Sequence, residues 1–164
     1  MNAGGCLLKL PKGVTGFYNA KHNKPPTIDG KQFKQQCFSI IKRNNGKVLE
    51  FIEPQFATNF LNVEVKVFNK HLHILLNEHY PFLAFASFVD FENINFIDEP
   101  ELLKQFSPFY KVLGMEELNE QLYIKEGTGK IILKNDNELN SAELEQIAYW
   151  KPKSTGEVIF NFWD

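Results

Sequence analysis

Leucine and valine alternate with polar residues between Asn59 and Phe68: Leu61, Val63, Val65 and Val67 fall on one side, Asn62, Glu64 and Lys66 on the other. A period of two over that length predicts a strand with one buried face. Asn69-Lys70 reads as a turn, so "HLHILL" (71–76) is expected to pair back antiparallel. "FLAFASFV" (82–89) is apolar on both sides, the pattern of a strand covered on both faces. "KVLEFIE" before Pro54 and "NINFI" (93–97) predict two more strands, and "GCLLKL" (5–10) a short first one. "QLYIKEGTGKIILKN" (121–135) predicts a hairpin turning at Gly127–Gly129.

Elsewhere the rhythm changes to that of a helix. Phe33, Cys37, Ile40 and Ile41 recur at i, i+4, i+7 and i+8. Asp29 with Gln32 forms a cap pair ahead of them, and Ile28 with Phe33 occupies the staple positions. Lys42 and Arg43 suit the negative end of the helix, and Gly46 is expected to stop it. Pro25-Pro26 keep the preceding stretch a loop. A short helix is predicted from about Glu99 to Phe106.

Near the end, Asn140 and Glu143 make a cap pair for a helix whose stripe is Leu144, Ile147, Ala148 and Trp150, broken by Pro152. Ser154 and Glu157 then read as a second capping box. Residues 155–163 fit a helix by spacing, although "EVIFNFW" has β propensity and a strand competes. A segment ending "FNFWD" carries too many rings to stay in water, so it is expected to be docked.

A helix, then strands, then helices describe an α+β protein: a single, mainly antiparallel sheet with an N-terminal helix and C-terminal helices packed on it. The chain has 164 residues, the length of one globular domain spanning 1–164, and needs no staples to hold a core. Two cysteines, Cys6 and Cys37, far apart, argue against a disulfide scaffold or a zinc ribbon and suit a reducing cytoplasm. The N-terminal residues show no basic region ahead of a long apolar run, so neither a signal peptide nor a membrane span is expected. One arginine stands against 17 lysines, with 16 asparagines, a bias of low-GC bacterial genomes.

Charge changes the picture more than composition does. The formal net charge is −2, yet residues 1–47 carry +8 and residues 48–164 carry −10. Between Asp90 and Glu126 there are nine carboxylates and three lysines. Either the basic leader packs on the acidic body, or two surfaces face different partners.

The candidate chemistry is thin. "NKHLHILLNEHYP" (69–81) holds three of the four histidines. On a strand, His71 and His73 share one face with Cα atoms about 6.6 Å apart, close enough to share a metal ion, and Glu64 lies across the hairpin as a possible third ligand. The alternative is a polar sheet face with solvated imidazoles. "EGTGKII" is no phosphate-binding loop, because Ile124 stands where the pattern needs glycine and Ile131 where it needs Ser or Thr. Neither a dinucleotide fingerprint nor a nucleophile elbow occurs, so no cofactor is expected. Cys37, with His22 as a base, is a formal nucleophile, but its place on an apolar stripe makes it a core residue. The basic leader, with Phe17, Tyr18 and Phe33 among its lysines, could contact phosphates and stack bases. The acidic body would repel a nucleic acid, and a lone arginine offers little base readout.

The reading that follows is a non-enzymatic, cytoplasmic protein-binding module for a basic protein partner, of the inhibitor or immunity type by analogy of charge and size. Its contact surface would be built from Asp90, Glu92, Asp98, Glu99, Glu101, Phe109 and Tyr110, with Phe91, Phe96 and Phe106 as further ring candidates. A metal-dependent enzyme using His71 and His73 is the alternative, and a weak nucleic-acid binder using the leader a third. Oligomeric state is not legible.

Overall fold

The computed structural model describes residues 8–20, 24–54, 57–128 and 130–164. Helix α1 (Gly30–Arg43) leads into a meander of five strands: β1 (Lys47–Ile52), β2 (Phe60–Val67), β3 (Lys70–Asn77), β4 (Phe82–Val89) and β5 (Ile94–Ile97). Helix α2 (Pro100–Phe106) follows, then the two-residue strand β6 (Lys111–Val112), the helical turn α3 (Met115–Leu118) and the hairpin β7 (Ile124–Gly127) and β8 (Lys130–Leu133). Helices α4 (Ser141–Trp150) and α5 (Thr155–Ile159) complete the elements. All neighbours in the β1-β2-β3-β4-β5 sheet are antiparallel; β6 alone runs parallel, extending the β4 edge beside Phe82 and Leu83. This is the expected α+β class with a mainly antiparallel sheet, though the hairpin β7-β8 forms a separate two-stranded sheet.

The sheet divides two apolar layers. On one face, Phe33, Cys37, Ile40 and Ile41 of α1 pack with Leu61, Val63, Val65 and Val67 of β2, Leu72, Ile74 and Leu76 of β3, and Leu102 and Phe106 of α2. The stripe read from the sequence is therefore the one buried. The opposite face is covered near β4 and β5, where Leu75, Ala84, Ala86 and Phe96 meet Leu118, Ile147, Val158, Ile159 and Phe160 from the C-terminal elements. At the Lys66–His71 end of β2 and β3 that face stays open, with both residues exposed.

Local signals hold unevenly. Asp29 caps α1, its side chain accepting from the Gln32 N–H at 3.1 Å. The helix ends one residue earlier in its logic than expected. Asn45, at φ 60°, takes the left-handed position, while the N–H of Gly46 donates to Ile41 O at 2.8 Å and that of Asn45 to Lys42 O at 3.0 Å. Gly46 serves close approach instead: a Cβ there would sit 2.7 Å from Lys66 O. The β2–β3 turn also shifts by one. Val67 pairs with Lys70, leaving Phe68 and Asn69 at the centre with φ 55° and 58°. Two left-handed central residues match the strands' twist in a two-residue hairpin, a demand that outweighs the ordinary reluctance of phenylalanine.

The C-terminal reading is half right. Asn140 and Glu143 form the reciprocal box on α4, and Lys151 at φ 51° ends the helix before Pro152. Only Ile147 of the expected stripe is fully buried; Leu144 is half-buried and Ala148 and Trp150 face solvent. The Ser154–Glu157 box does not form. Ser154 instead makes an antiparallel bridge with Gln121, and Glu157 accepts from the Lys153 N–H at 3.2 Å. Residues 155–159 are helical, and from Phe160 onward the chain is neither helix nor strand, so neither single alternative for 155–163 applies throughout. The expected first strand is partly outside the described residues; within them Leu10 makes one parallel bridge to Asn137. Gly129 of the predicted hairpin turn also lies outside them.

Two buried polar constructions tie the leader to the C-terminal elements. Glu143 is fully buried, and its carboxylate accepts from the N–H of Gly13 (2.7 Å), of Thr15 (3.0 Å) and of Asn140 (3.1 Å), and from the Thr15 hydroxyl (2.6 Å). Gly13 and Gly16, at φ 91° and 92°, give residues 13–16 the curl that aims those donors inward. Beside this, the side-chain amides of Asn59 and Asn77 both donate to Val14 O and to Ile159 O, at 2.8–3.0 Å. Asn161 completes the set, taking its N–H to Asn59 Oδ1 at 2.8 Å and its amide to Val158 O at 3.0 Å. The "FNFWD" segment is thus docked by its backbone as well as its rings.

Candidate functional site

The turn between β4 and β5 is where an exposed ring meets carboxylates. Asp90 and Asn93 exchange backbone hydrogen bonds, and Asp90 Oδ1 accepts from the N–H of Glu92 (2.9 Å) and of Asn93 (2.8 Å). An aspartate closing its own turn in this way holds Phe91 and Glu92 at the tip. Phe91 is 74% exposed, and the Glu92 carboxylate makes no hydrogen bond or ion pair among the described residues.

Opposite this turn stand Trp150 and the C-terminal segment. The Trp150 indole N–H donates to Gln146 Oε1 at 2.9 Å, which fixes the ring at the end of α4. Phe162 packs edge-on against Phe60 at 5.4 Å between centroids, and the Trp163 N–H donates to Asn161 Oδ1 at 3.2 Å. Between the two walls lies a groove of about 430 Å³, floored by Phe96 and Phe160. Asp90 and Glu92 stand on one wall and Glu157 on the other; among the described residues the lining includes neither lysine nor arginine, and neither histidine nor cysteine. Its chemistry is therefore that of binding a cation or a ring, with no nucleophile–base pair.

The other residues singled out by sequence are dispersed. Asp98 Oδ1 accepts from the Met115 N–H at 2.9 Å, at the start of α3. Glu99 is only 4% exposed and receives Lys70 Nζ at 2.9 Å, so it pins the β2–β3 hairpin and offers nothing to a partner. Glu101 is exposed on α2 near Lys104. Phe109 is 48% exposed, but Tyr110 is buried edge-on against Phe33 at 5.8 Å, and burial pushes its phenol up to about 12. Phe96 and Phe106 are buried too. Tyr110 and Glu99 must therefore be removed from any contact surface. Sequence reasoning missed Trp150, Glu157, Phe162 and Trp163. The one available signal was Trp150 in the last turn before Lys-Pro, where a helix is ending and full burial is hard to arrange.

The histidines form a polar ladder. His71 and His73 lie 5.9 Å apart between ring centroids, with His71 Nε2 at 2.6 Å from Glu64 Oε2 and His73 Nδ1 at 2.9 Å from Asn62 Oδ1. His79 is directed elsewhere, its Nδ1 2.8 Å from Pro26 O. Among the described residues no group of three or more His, Cys, Asp or Glu is placed to hold a metal ion. Cys37 is fully buried and burial raises its thiol pKa, which removes it as a nucleophile; Cys6 and His22 lie outside the described residues. The basic leader spends Lys9 on Glu138 and Lys34 on Glu53, and Phe33 is in the core, unable to stack on a base.

No family model, curated protein or solved structure matches the chain. No helix among the described residues is long and apolar enough to cross a membrane.

The ladder has a measurable consequence. Burial lowers the pKa of His73 below its ordinary value, Glu64 opposing and His71 adding to the shift. The unfolded chain then binds the proton more readily, so this contribution is present above the unfolded pKa of about 6.5 and is lost as pH falls toward the folded value. The urea midpoint is expected to drop between pH 7.5 and pH 5.5, and His73→Asn to flatten that part of the profile relative to the parent.

Proposed function

We propose that the protein is a non-enzymatic binding module that docks a basic protein partner through the acidic, aromatic surface at the β4–β5 turn. The observation that carries this reading is Phe91, 74% exposed on a turn closed by Asp90 and flanked by the free carboxylate of Glu92. An exposed aromatic ring beside carboxylates has the chemistry of an interface anchor, apolar area ringed by charge. Local charge supplies steering: Asp90, Glu92 and Glu157 line the groove beside this ring, which favours encounter with a basic surface and disfavours acidic competitors. An inhibitor or immunity-type role, in which the partner is a basic enzyme acting in the cytoplasm, fits the same chemistry.

The test is affinity capture from an extract of the host, with the wild type and Phe91→Ala as baits. A basic protein is expected to be retained at low salt and released above roughly 0.3 M, where screening confines charge–charge attraction to a few ångströms. Removing the ring is expected to cost about 2 kcal/mol or more in affinity, as for a central anchor, and to abolish retention. A partner held equally by both baits, or indifferent to salt, would reject this surface.

A further inference from the structure

We propose that the groove between the β4–β5 turn and the C-terminal segment is a receptor for one basic side chain, lysine or arginine, presented on a protruding loop of the partner. This rests on the docking reading above and gives it a point of contact. Carboxylates rise from both walls, Asp90 and Glu92 from the turn and Glu157 from α5, and among the described residues no lysine or arginine lines the groove to neutralise them. An anionic ligand would be repelled from every side, whereas a cation entering between the walls meets opposite charge on both.

Rings supply the second half of the recognition. Phe91, Trp150 and Trp163 line the groove as well, and rings beside carboxylates suit a cation and the alkyl stem that carries it. Asn93, Asn95 and Asn119 also line the groove. The volume of about 430 Å³ suits a side chain with its neighbouring backbone and is far too small for a folded surface. A docked helix or strand would meet only the rim.

The chain's two tryptophans, Trp150 and Trp163, both line the groove, so intrinsic fluorescence reports on its occupancy. Capped Gly-Arg-Gly and Gly-Lys-Gly, titrated into the intact protein, are expected to change the emission saturably at roughly millimolar concentration, as suits the few contacts of one side chain. Capped Gly-citrulline-Gly, nearly the same shape as the arginine peptide without its charge, is expected to leave it unchanged. The double variant Glu92→Gln/Glu157→Gln keeps an oxygen for the Lys153 N–H and is expected to weaken both cationic peptides roughly tenfold.

The proposal is overturned by an unchanged emission with both cationic peptides, by equal binding of the citrulline peptide, or by a double variant that binds as tightly as the parent. The two readings can fail separately. A salt-sensitive partner captured while the peptides do not bind leaves the docking surface standing and removes the groove. Peptide binding with no salt-sensitive partner keeps the groove as a cation site and removes the docking role.

Discussion

Replacing Glu143 with alanine is expected to lower the unfolding free energy by about 4 kcal/mol, because it strands four buried donors at once. Gly13 N–H, Thr15 N–H, the Thr15 hydroxyl and Asn140 N–H all end on this one carboxylate. Glu143 is 0% exposed, so no water stands ready to replace it. Alanine favours the helix itself, so a loss of this size cannot come from α4's own propensity. In a chain of this length such a loss lowers the melting temperature by roughly 10–15 °C. Calorimetry measures it, and amide exchange in residues 11–17 is expected to accelerate more than that of β2 or β3. Glu143→Gln is the instructive companion: it keeps one acceptor but turns an NH2 group toward donors, and its cost is expected to approach that of alanine. A change under about 1 kcal/mol in both variants, the worth of one ordinary hydrogen bond, would mean the carboxylate is not a clamp.

The second large effect is expected from Asn59 and Asn77 taken together. Each side-chain amide donates to the same two carbonyls, Val14 O and Ile159 O. Either asparagine alone therefore leaves both carbonyls with one partner. Asn77→Leu also strands the N–H groups of His79 and Tyr80, which Asn77 Oδ1 now receives at 2.8 and 2.9 Å. Each single replacement by leucine is expected to cost about 2 kcal/mol, and the double variant roughly 6, since only then do the carbonyls lose every side-chain donor. A chemical-denaturation cycle on the four proteins reads the excess directly. Strict additivity would show that the two amides do not share their acceptors in solution.

These constructions mark where sequence reasoning stops. The cap at Asp29, the stripe from Phe33 to Ile41, the alternation of β2 and its pairing with β3 were all legible because their causes lie within a few residues of one another. The exact turn residues were not, since Phe68 at φ 55° obeys the twist of the strands it joins and overrides its own preference. Ser154 has the right neighbour for a capping box, yet the Glu157 carboxylate accepts from the Lys153 N–H instead, beside a bridge that ties Thr155 N–H to Glu120 O. Glu143 was read correctly as a cap and its larger role was invisible, because its other partners lie 128 and 130 residues away. The groove shares that difficulty. Asp90 and Glu92 stood out as acids, but nothing local announced that Trp150, Glu157 and Trp163 would face them.

The amide of Asn161 reaches Thr15 O at 3.4 Å across 146 residues of chain. Contacts of such separation are entropically the dearest to close, so the meander with α1 has reason to assemble first and the two distant segments to latch onto it late. Interactions that form after the folding barrier act as a brake on its reverse. Substitutions in this knot of asparagines are therefore expected to speed unfolding more than they slow folding, as stopped-flow kinetics would measure.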